Sequence, residues 1–556
     1  MLAAGLLVAA GAGPAAAYPY PDVSLTGHGW GHGHGMGQWG ALGDALGGMT
    51  YPQILTTFYG SLAAGGSTTL GPLPNGWHDS STTVTVAITE NAGNDVIVTS
   101  GSPFAVPAAS QTVPAGGGAR FVLTDPVNNR WSVYVAPSQG CAGGPAAWGP
   151  PVATNVAAPQ AVPGAEPFPS DGNLVGEVLD LCQLGGNIAL RGTVGGTMSS
   201  AGQARTVDVV PLGEYVADVT PSESPVSWGS LGAPGSQGAP LGFQELEAQA
   251  VAVRSYVMST YGSLQGWFGY ADVCDSTCQS YPGIANENSL TDTATTDTAD
   301  TAVLLPGGAP ATTQYSSSTG GYTAGGTFAA VPDSGDAVCV PGACNTHHAW
   351  QAHVPVTAIE SAYPQLGALE SVGVTQRNGL GDLGGRVTQM ALVGNAQTVT
   401  LSGDTFAAQF ASFGVQSDWF ALTSQASGGV GGYWLLGSDG GVFSFGDASF
   451  HGSMGGTRLN APMVGMAATP DGGGYWTVAS DGGVFSFGDA PYEGSLPGDA
   501  VTGHAVALRP TRTGMGYLVV AVDGRAVAFG DAPQFSDVAS SVAGWRGSLV
   551  DAAQTS

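Results

Sequence analysis

The sequence predicts two architectures in one chain: a mixed α+β body up to residue 423, and an all-β module of propeller-blade-like repeats after it. Two patterns carry this expectation. Before residue 423, runs of β-type alternation are interrupted by segments with helical spacing; after 431, the sequence repeats itself every 42 residues. The expected layout is a signal peptide at 1–17, the body at 18–423, a linker at 424–431 and three repeats over 432–556.

Residues 2–13 are apolar but span only about half of the ~20 residues needed to cross a bilayer. Pro14-Ala15-Ala16-Ala17 follows, a small-residue pattern suited to cleavage after Ala17, although no basic residue precedes it. The expectation is a secreted protein acting outside the cell or in the cell wall. No other segment reads as transmembrane. The six cysteines fit that compartment and read first as disulfides, which proximity pairs as Cys274–Cys278, Cys339–Cys344 and, by remainder, Cys141–Cys182. A rival reading uses Cys339, Cys344, His347 and His348 as zinc ligands, since their spacing can place two thiolates and an imidazole around one ion. Short cysteine spacing in an exported chain favours the disulfide, and no cofactor is required.

Residues 27–41, GHGWGHGHGMGQWGA, come next. Alternating glycine keeps bulk low and lets the backbone approach a ligand or another element closely. His28, His32 and His34 invite a metal, but no Asp, Glu or Cys follows until Asp44. A helix is expected over Tyr51–Tyr59, and strands over Thr83–Ile88 and 96–98. In a second helix, over 243–258, Leu246, Ala250, Val253 and Val257 share one stripe, and Gln249 lies beside it.

In the repeats, Tyr433-Trp434, Tyr475-Trp476 and Tyr517-Leu518 recur, as do the turns at Asp439, Asp481 and Asp523. Four short strands are expected per repeat (463–468, 475–479, 484–487 and 492–496 in the second), the size of a propeller blade. Residues 548–553 resemble the first strand of a further repeat. Asp447, Asp489 and Asp531 follow strands as Gly-Asp turns, which is turn chemistry before it is ligand chemistry.

Composition narrows the function. Charged residues are 9% of the chain, against ~25% in an average soluble protein, and all twelve basic residues are Arg. With 40 acidic residues the net charge is −28, which excludes nucleic-acid binding and polybasic adhesion to anionic membranes.

Two sets of motifs resemble a known family. Gly31-His32-Gly33-x-Gly35-Met36-x-Gln38-x-Gly40-Ala41 followed by Tyr51-x-x-Ile54-Leu55-x-x-x-Tyr59 resembles the signature of the sporulation stage II protein D (SpoIID)/LytB family. Independently, Val210-Pro211-Leu212 through Tyr215, Glu223, Pro225 and Trp228, then Leu246 to Tyr256, resembles its glutamate loop leading into a Gln- and Arg-bearing helix. Gln279-x-Tyr281-x-Gly283, residues 315–321 and the stretch from Gly384 to Phe420 fit its later parts. The Gly-His-Gly run usually closes the domain in that family but opens it here, as in a circular permutation. Glu-Met-Pro becomes Glu223-Ser224-Pro225, residues 230–242 are inserted, and His34 and Gly37 replace the usual Val and Ser.

The resemblance implies action on peptidoglycan glycan strands, either as a lytic transglycosylase or as an enhancer of a wall amidase. It implies Glu223 as the acid/base, Arg254 as a partner for a muramyl lactyl carboxylate, and Gln249, His32, Gln38, Tyr315, Ser317, Ser318, Gly320 and Gly321 as sugar-contacting groups. A salt bridge to Glu247 is the alternative reading for Arg254.

Overall fold

The computed structural model describes residues 18–549 apart from 139, 143–147, 166–176, 184–185, 236–237, 262–268, 424–432, 446–447, 471, 497–503, 512, 535–537 and 542–548. The expected signal peptide and linker, Asp447, and all of segment 548–553 except Leu549 lie outside the described residues. The chain divides into two compact units, Met1–Thr423 and Ser424–Ser556.

The first unit is mixed α and β. A six-stranded sheet runs in the order Ala153–Val156, Arg130–Ala136, Gly118–Asp125, Val96–Thr99, Leu179–Leu181, Ile188–Leu190. A five-stranded sheet is built on the antiparallel pairs Thr193–Met198 with Ala204–Pro211 and Ala204–Pro211 with Thr83–Ile88. Their alternating residues share one core, in which Val84, Val86, Phe121, Trp131, Leu179 and Val194 are buried. Two further three-stranded sheets surround a second core that includes Phe406, Phe420 and Leu392. One of them pairs Asp22–Gly27 antiparallel with Phe420–Thr423, so the two ends of the unit lie side by side.

Five helices position the candidate site: α1 (Gln38–Leu46), α2 (Tyr51–Tyr59), α3 (Leu212–Glu223), α4 (Phe243–Thr260) and α5 (Ser289–Asp297). The expected helices are α2 and α4. Thr50 and Gln53 form a capping box at the start of α2, with Pro52 in its first turn. The apolar stripe of α4 faces the first core through Ala250, Val253 and Val257, while Ala248, Val251 and Ala252 face a third core with α1 and α2. Sandwiched in this way, α4 also buries Glu245, Glu247, Gln249 and Arg254. The stretch read as a glutamate loop is instead α3, ended by Pro221 within its last turn and Pro225 beyond it.

The glycine run is explained by packing. A Cβ on Gly40 would lie 2.2 Å from the Asp333 carboxylate, and one on Gly43 would lie 2.1 Å from the Gly335 carbonyl oxygen. Helix α1 therefore seats directly on the backbone of Ser334–Ala337.

In the second unit, Met463–Ala468, Gly474–Ala479 and Val484–Gly488 form one antiparallel sheet, and Ala505–Pro510, Gly516–Ala521 and Ala526–Gly530 form the next. Among the described residues each has three strands, where four were expected. Residues 492–496 return to the hairpin with a single backbone bond, Leu496 N–H to Gly482 O (3.0 Å), so no fourth ladder forms. Successive repeats are joined by tyrosine: the hydroxyls of Tyr475 and Tyr517 donate to Gly452 O (2.5 Å) and Gly494 O (2.6 Å). Asp489 and Asp531 accept from Thr469 and Thr511, which is turn chemistry.

Scarcity of cations marks the first unit's interior. Arg191 is fully buried and pairs with Glu177 (2.5 Å), Glu214 (3.3 Å) and Glu287 (2.7 Å). Burial pushes Glu214 up to about 8 and Asp208 up to about 7, and raises Asp218 well above the carboxylate range. Glu245, on α4, is also pushed up by burial to about 8. These groups keep protons in the folded state that the unfolded chain releases at ordinary carboxylate values near 4. Stability is therefore expected to fall as pH rises from about 4 to about 8. Urea unfolding midpoints at pH 5 and pH 8 check this, the pH 5 value being the higher. The substitution Gly43→Ala is expected to cost ~1–3 kcal/mol through backbone displacement, measured by the same transition.

Candidate active site

Glu223 is the last residue of α3, half-buried. A helix C-terminus carries partial negative charge and disfavours a carboxylate. Its surroundings do the rest: burial holds the Glu223 carboxyl above its ordinary 4.5, opposed by hydrogen bonds from the Ser280 N–H and the Tyr315 hydroxyl. Ser280 N–H donates to Oε1 at 2.7 Å.

The tyrosine is held by a defined chain of bonds. Tyr215 Oη donates to Gln279 Oε1 (2.8 Å), and Gln279 Nε2 donates to Tyr315 Oη (2.9 Å). With its oxygen already accepting, Tyr315 has its own proton free for Glu223. Gln38 Nε2 donates to the Glu223 backbone carbonyl (2.9 Å), tying α1 to the end of α3. Ser224 donates to Glu245 Oε1 (2.6 Å) on α4.

Tyr315 reaches the site because Tyr315–Ser316 pairs in parallel with Met36–Gly37. A cleft of about 590 Å³, lined by Glu90, Asn187, Asp275, Ser280 and Tyr281 among others, opens beside the Ser280 amide that holds Glu223.

Of the residues expected at the site, the structure brings Glu223, Gln38 and Tyr315 together. Others have different work. Arg254 is fully buried and makes a bidentate pair with Asp79 (Nε–Oδ1 2.9 Å, Nη2–Oδ2 2.8 Å), with further bonds to the carbonyls of Thr295 and Thr301. It meets neither Glu247 nor an open surface, so a substrate carboxylate does not reach it. Gln249 is also fully buried, its Oε1 accepting from Ser224 (3.3 Å), and it acts behind the Glu223 turn. Ser318 is fully buried and donates to Asp336, which also accepts from the N–H groups of Thr319 and Gly320 and pairs with His348 (2.8 Å). Gly320 is needed for the approach of Gly29, since a Cβ there would lie 2.7 Å from Gly29 N. Gly321 has φ +106 and turns the chain back with its N–H on Thr319 Oγ1. Ser317 is half-buried and accepts from Trp39 N–H through its carbonyl (3.0 Å).

Cys339 and Cys344 are joined to each other, as are Cys141–Cys182 and Cys274–Cys278. Bonded sulfurs offer no thiolate, so the four-residue zinc reading is corrected; His348 is taken by Asp336 and His347 by Gln416 (2.6 Å). His28, His32 and His34 do not converge either: His28 Nδ1 bonds the His348 carbonyl, His34 Nδ1 the Gly325 carbonyl, and His32 Nδ1 accepts from His34 N–H. Among the described residues no helix is long and apolar enough to cross a membrane. Three disulfides are compatible with an extracellular protein.

Tyr215, Gln279 and Glu245 were not singled out as site residues in the sequence. Tyr215 and Gln279 stood inside recognised motifs; Glu245 had no such signal.

Residues 200–305 match the model of the Stage II sporulation protein (SpoIID) family. That stretch takes in Glu223, Gln279 and α4, and it supports a cell-wall-related function. No curated protein matches the chain.

Removing the hydroxyl in Tyr315→Phe takes away a donor to the ionised carboxyl. The Glu223 pKa is expected to rise further, read by carboxyl NMR titration, and the buried Gln279 amide left without its acceptor is expected to lower stability by ~1–3 kcal/mol. Asp79→Ala strands a buried guanidinium and is expected to cost ~3–5 kcal/mol in denaturant unfolding.

Proposed function

We propose that the chain is an exported wall protein that cleaves peptidoglycan glycan strands as a lytic transglycosylase, with Glu223 as its single acid and base. The observation that carries this reading is a partly buried carboxyl whose pKa is raised by burial, which accepts from Ser280 N–H and lies within reach of Tyr315.

Protonated Glu223 donates to the glycosidic oxygen as the bond from the muramyl anomeric carbon breaks, and positive charge develops at that carbon. The resulting carboxylate then removes the proton of the muramyl 6-hydroxyl, whose oxygen closes on the anomeric carbon. One proton leaves Glu223 and one returns, no water is consumed, and the product carries a 1,6-anhydro ring. A raised pKa supports the first half, because the acid must hold its proton near the working pH. The Ser280 and Tyr315 donors support the second half, because they stabilise the carboxylate formed in between.

Mass spectrometry of fragments released from purified peptidoglycan, intact and stripped of stem peptides, tests the reading. Anhydromuramyl ends are expected from the full chain, and Glu223→Gln should slow their release by at least about 10²-fold. If neither substrate yields such ends, the enzymatic reading fails and a non-catalytic role as an amidase enhancer takes its place.

A further inference from the structure

One ring in the glycine run is left outside the packing that explains its neighbours. Trp30 is 49% exposed, although its backbone is held from two sides. Its N–H donates to Ser318 O (2.8 Å), its carbonyl accepts from Ser318 N–H (3.2 Å), and the next N–H, of Gly31, donates to Gln416 O (3.0 Å). The His347 ring lies against the indole at 4.3 Å between centroids, tilted by 35°. His347 is itself fixed, its Nδ1 bonded to Gln416 Oε1 at 2.6 Å.

An aromatic ring locked before any ligand arrives loses little freedom on binding, which is how rigid aromatic anchors yield affinity. Beside it lie His347, an imidazole, and Gln416, whose amide bonds that imidazole and whose backbone carbonyl accepts from the Gly31 N–H, groups that can exchange hydrogen bonds with hydroxyls. A flat apolar face edged by such groups matches a pyranose ring, which has a C–H face and a hydroxyl rim. The placement fits as well. Ser318, the backbone partner of Trp30, is three residues from Tyr315, so their Cα atoms are at most ~10 Å apart.

We propose that Trp30, backed by His347, is a stacking subsite for a pyranose ring of the same glycan strand whose cleavage is assigned to Glu223. The inference rests on the glycan reading of that site.

The test uses the full chain carrying Glu223→Gln, which stops turnover, with denuded glycan strands as the probe in isothermal calorimetry. Adding Trp30→Ala is expected to weaken binding about tenfold or more, as for an aromatic hot spot. Adding Trp30→Phe is expected to retain most of the affinity, and neither change should move the unfolding midpoint appreciably, because about half of the residue is exposed and its ring touches His347 alone among the aromatic rings described. Binding unchanged in Trp30→Ala overturns the subsite. So does equal loss in the Ala and Phe variants together with a lowered midpoint, which would mark a structural ring. Unchanged glycan binding combined with weakened capture of a wall amidase would also overturn it, in favour of a protein contact. If Trp30 controls strand binding while the unsubstituted chain releases no anhydromuramyl ends, the subsite stands and only the catalytic reading fails.

Discussion

The candidate site depends on one constraint: residues 29–40 must lie backbone to backbone against residues 314–320. A Cβ on Gly35 would stand 1.8 Å from the Gln314 carbonyl oxygen, and Gly29 and Gly320 exclude side chains from each other reciprocally. That contact sets Tyr315 beside Met36 and, through Gln38 two residues on, ties the assembly to the Glu223 carbonyl. Glycine is required here by its missing side chain more than by a turn. The pairing of Asp22–Gly27 with Phe420–Thr423 closes the unit, so a motif that opens the region can sit next to segments near its end.

Charge scarcity shapes the interior in the same way. With twelve arginines for 40 acidic residues, few buried carboxyls find a cation. Arg191 is shared by three glutamates, and Asp218, Asp208 and Glu245 are held towards their neutral forms by burial. A raised pKa alone therefore does not single out Glu223. Glu214 and Glu245 are shifted too, but they are 1% and 0% exposed and cannot touch a substrate. Glu223 differs in being only partly buried, with the Ser280 N–H donating to its carboxyl.

Much of this was legible in the sequence, and the limits are physical. The stripe on α4 showed as a helix because apolar residues dominate it, but no local pattern told that the helix is enclosed on both sides. Arg254 illustrates the consequence. Its partner Asp79 is 175 residues away, beyond any local spacing rule, so only Glu247 was in view. Helix α3 was hidden by Pro221, which reads as a breaker but falls in the last turn. The fourth strand expected at 492–496 in the second repeat had the right composition but lacks a backbone partner along its length. The short-range disulfides were readable from spacing, and so was the close approach implied by the glycine run, though not which element approaches.

The central claim is that Glu223 is an accessible acid that keeps its proton above the normal range. Difference infrared spectroscopy of the full chain against Glu223→Gln, followed over pH, isolates the carboxylic C=O stretch of that one side chain. The account predicts that the band persists above pH 4.5, the ordinary glutamate value, and then titrates away. A Glu223 carboxyl that is already ionised at or below pH 4.5 would contradict it.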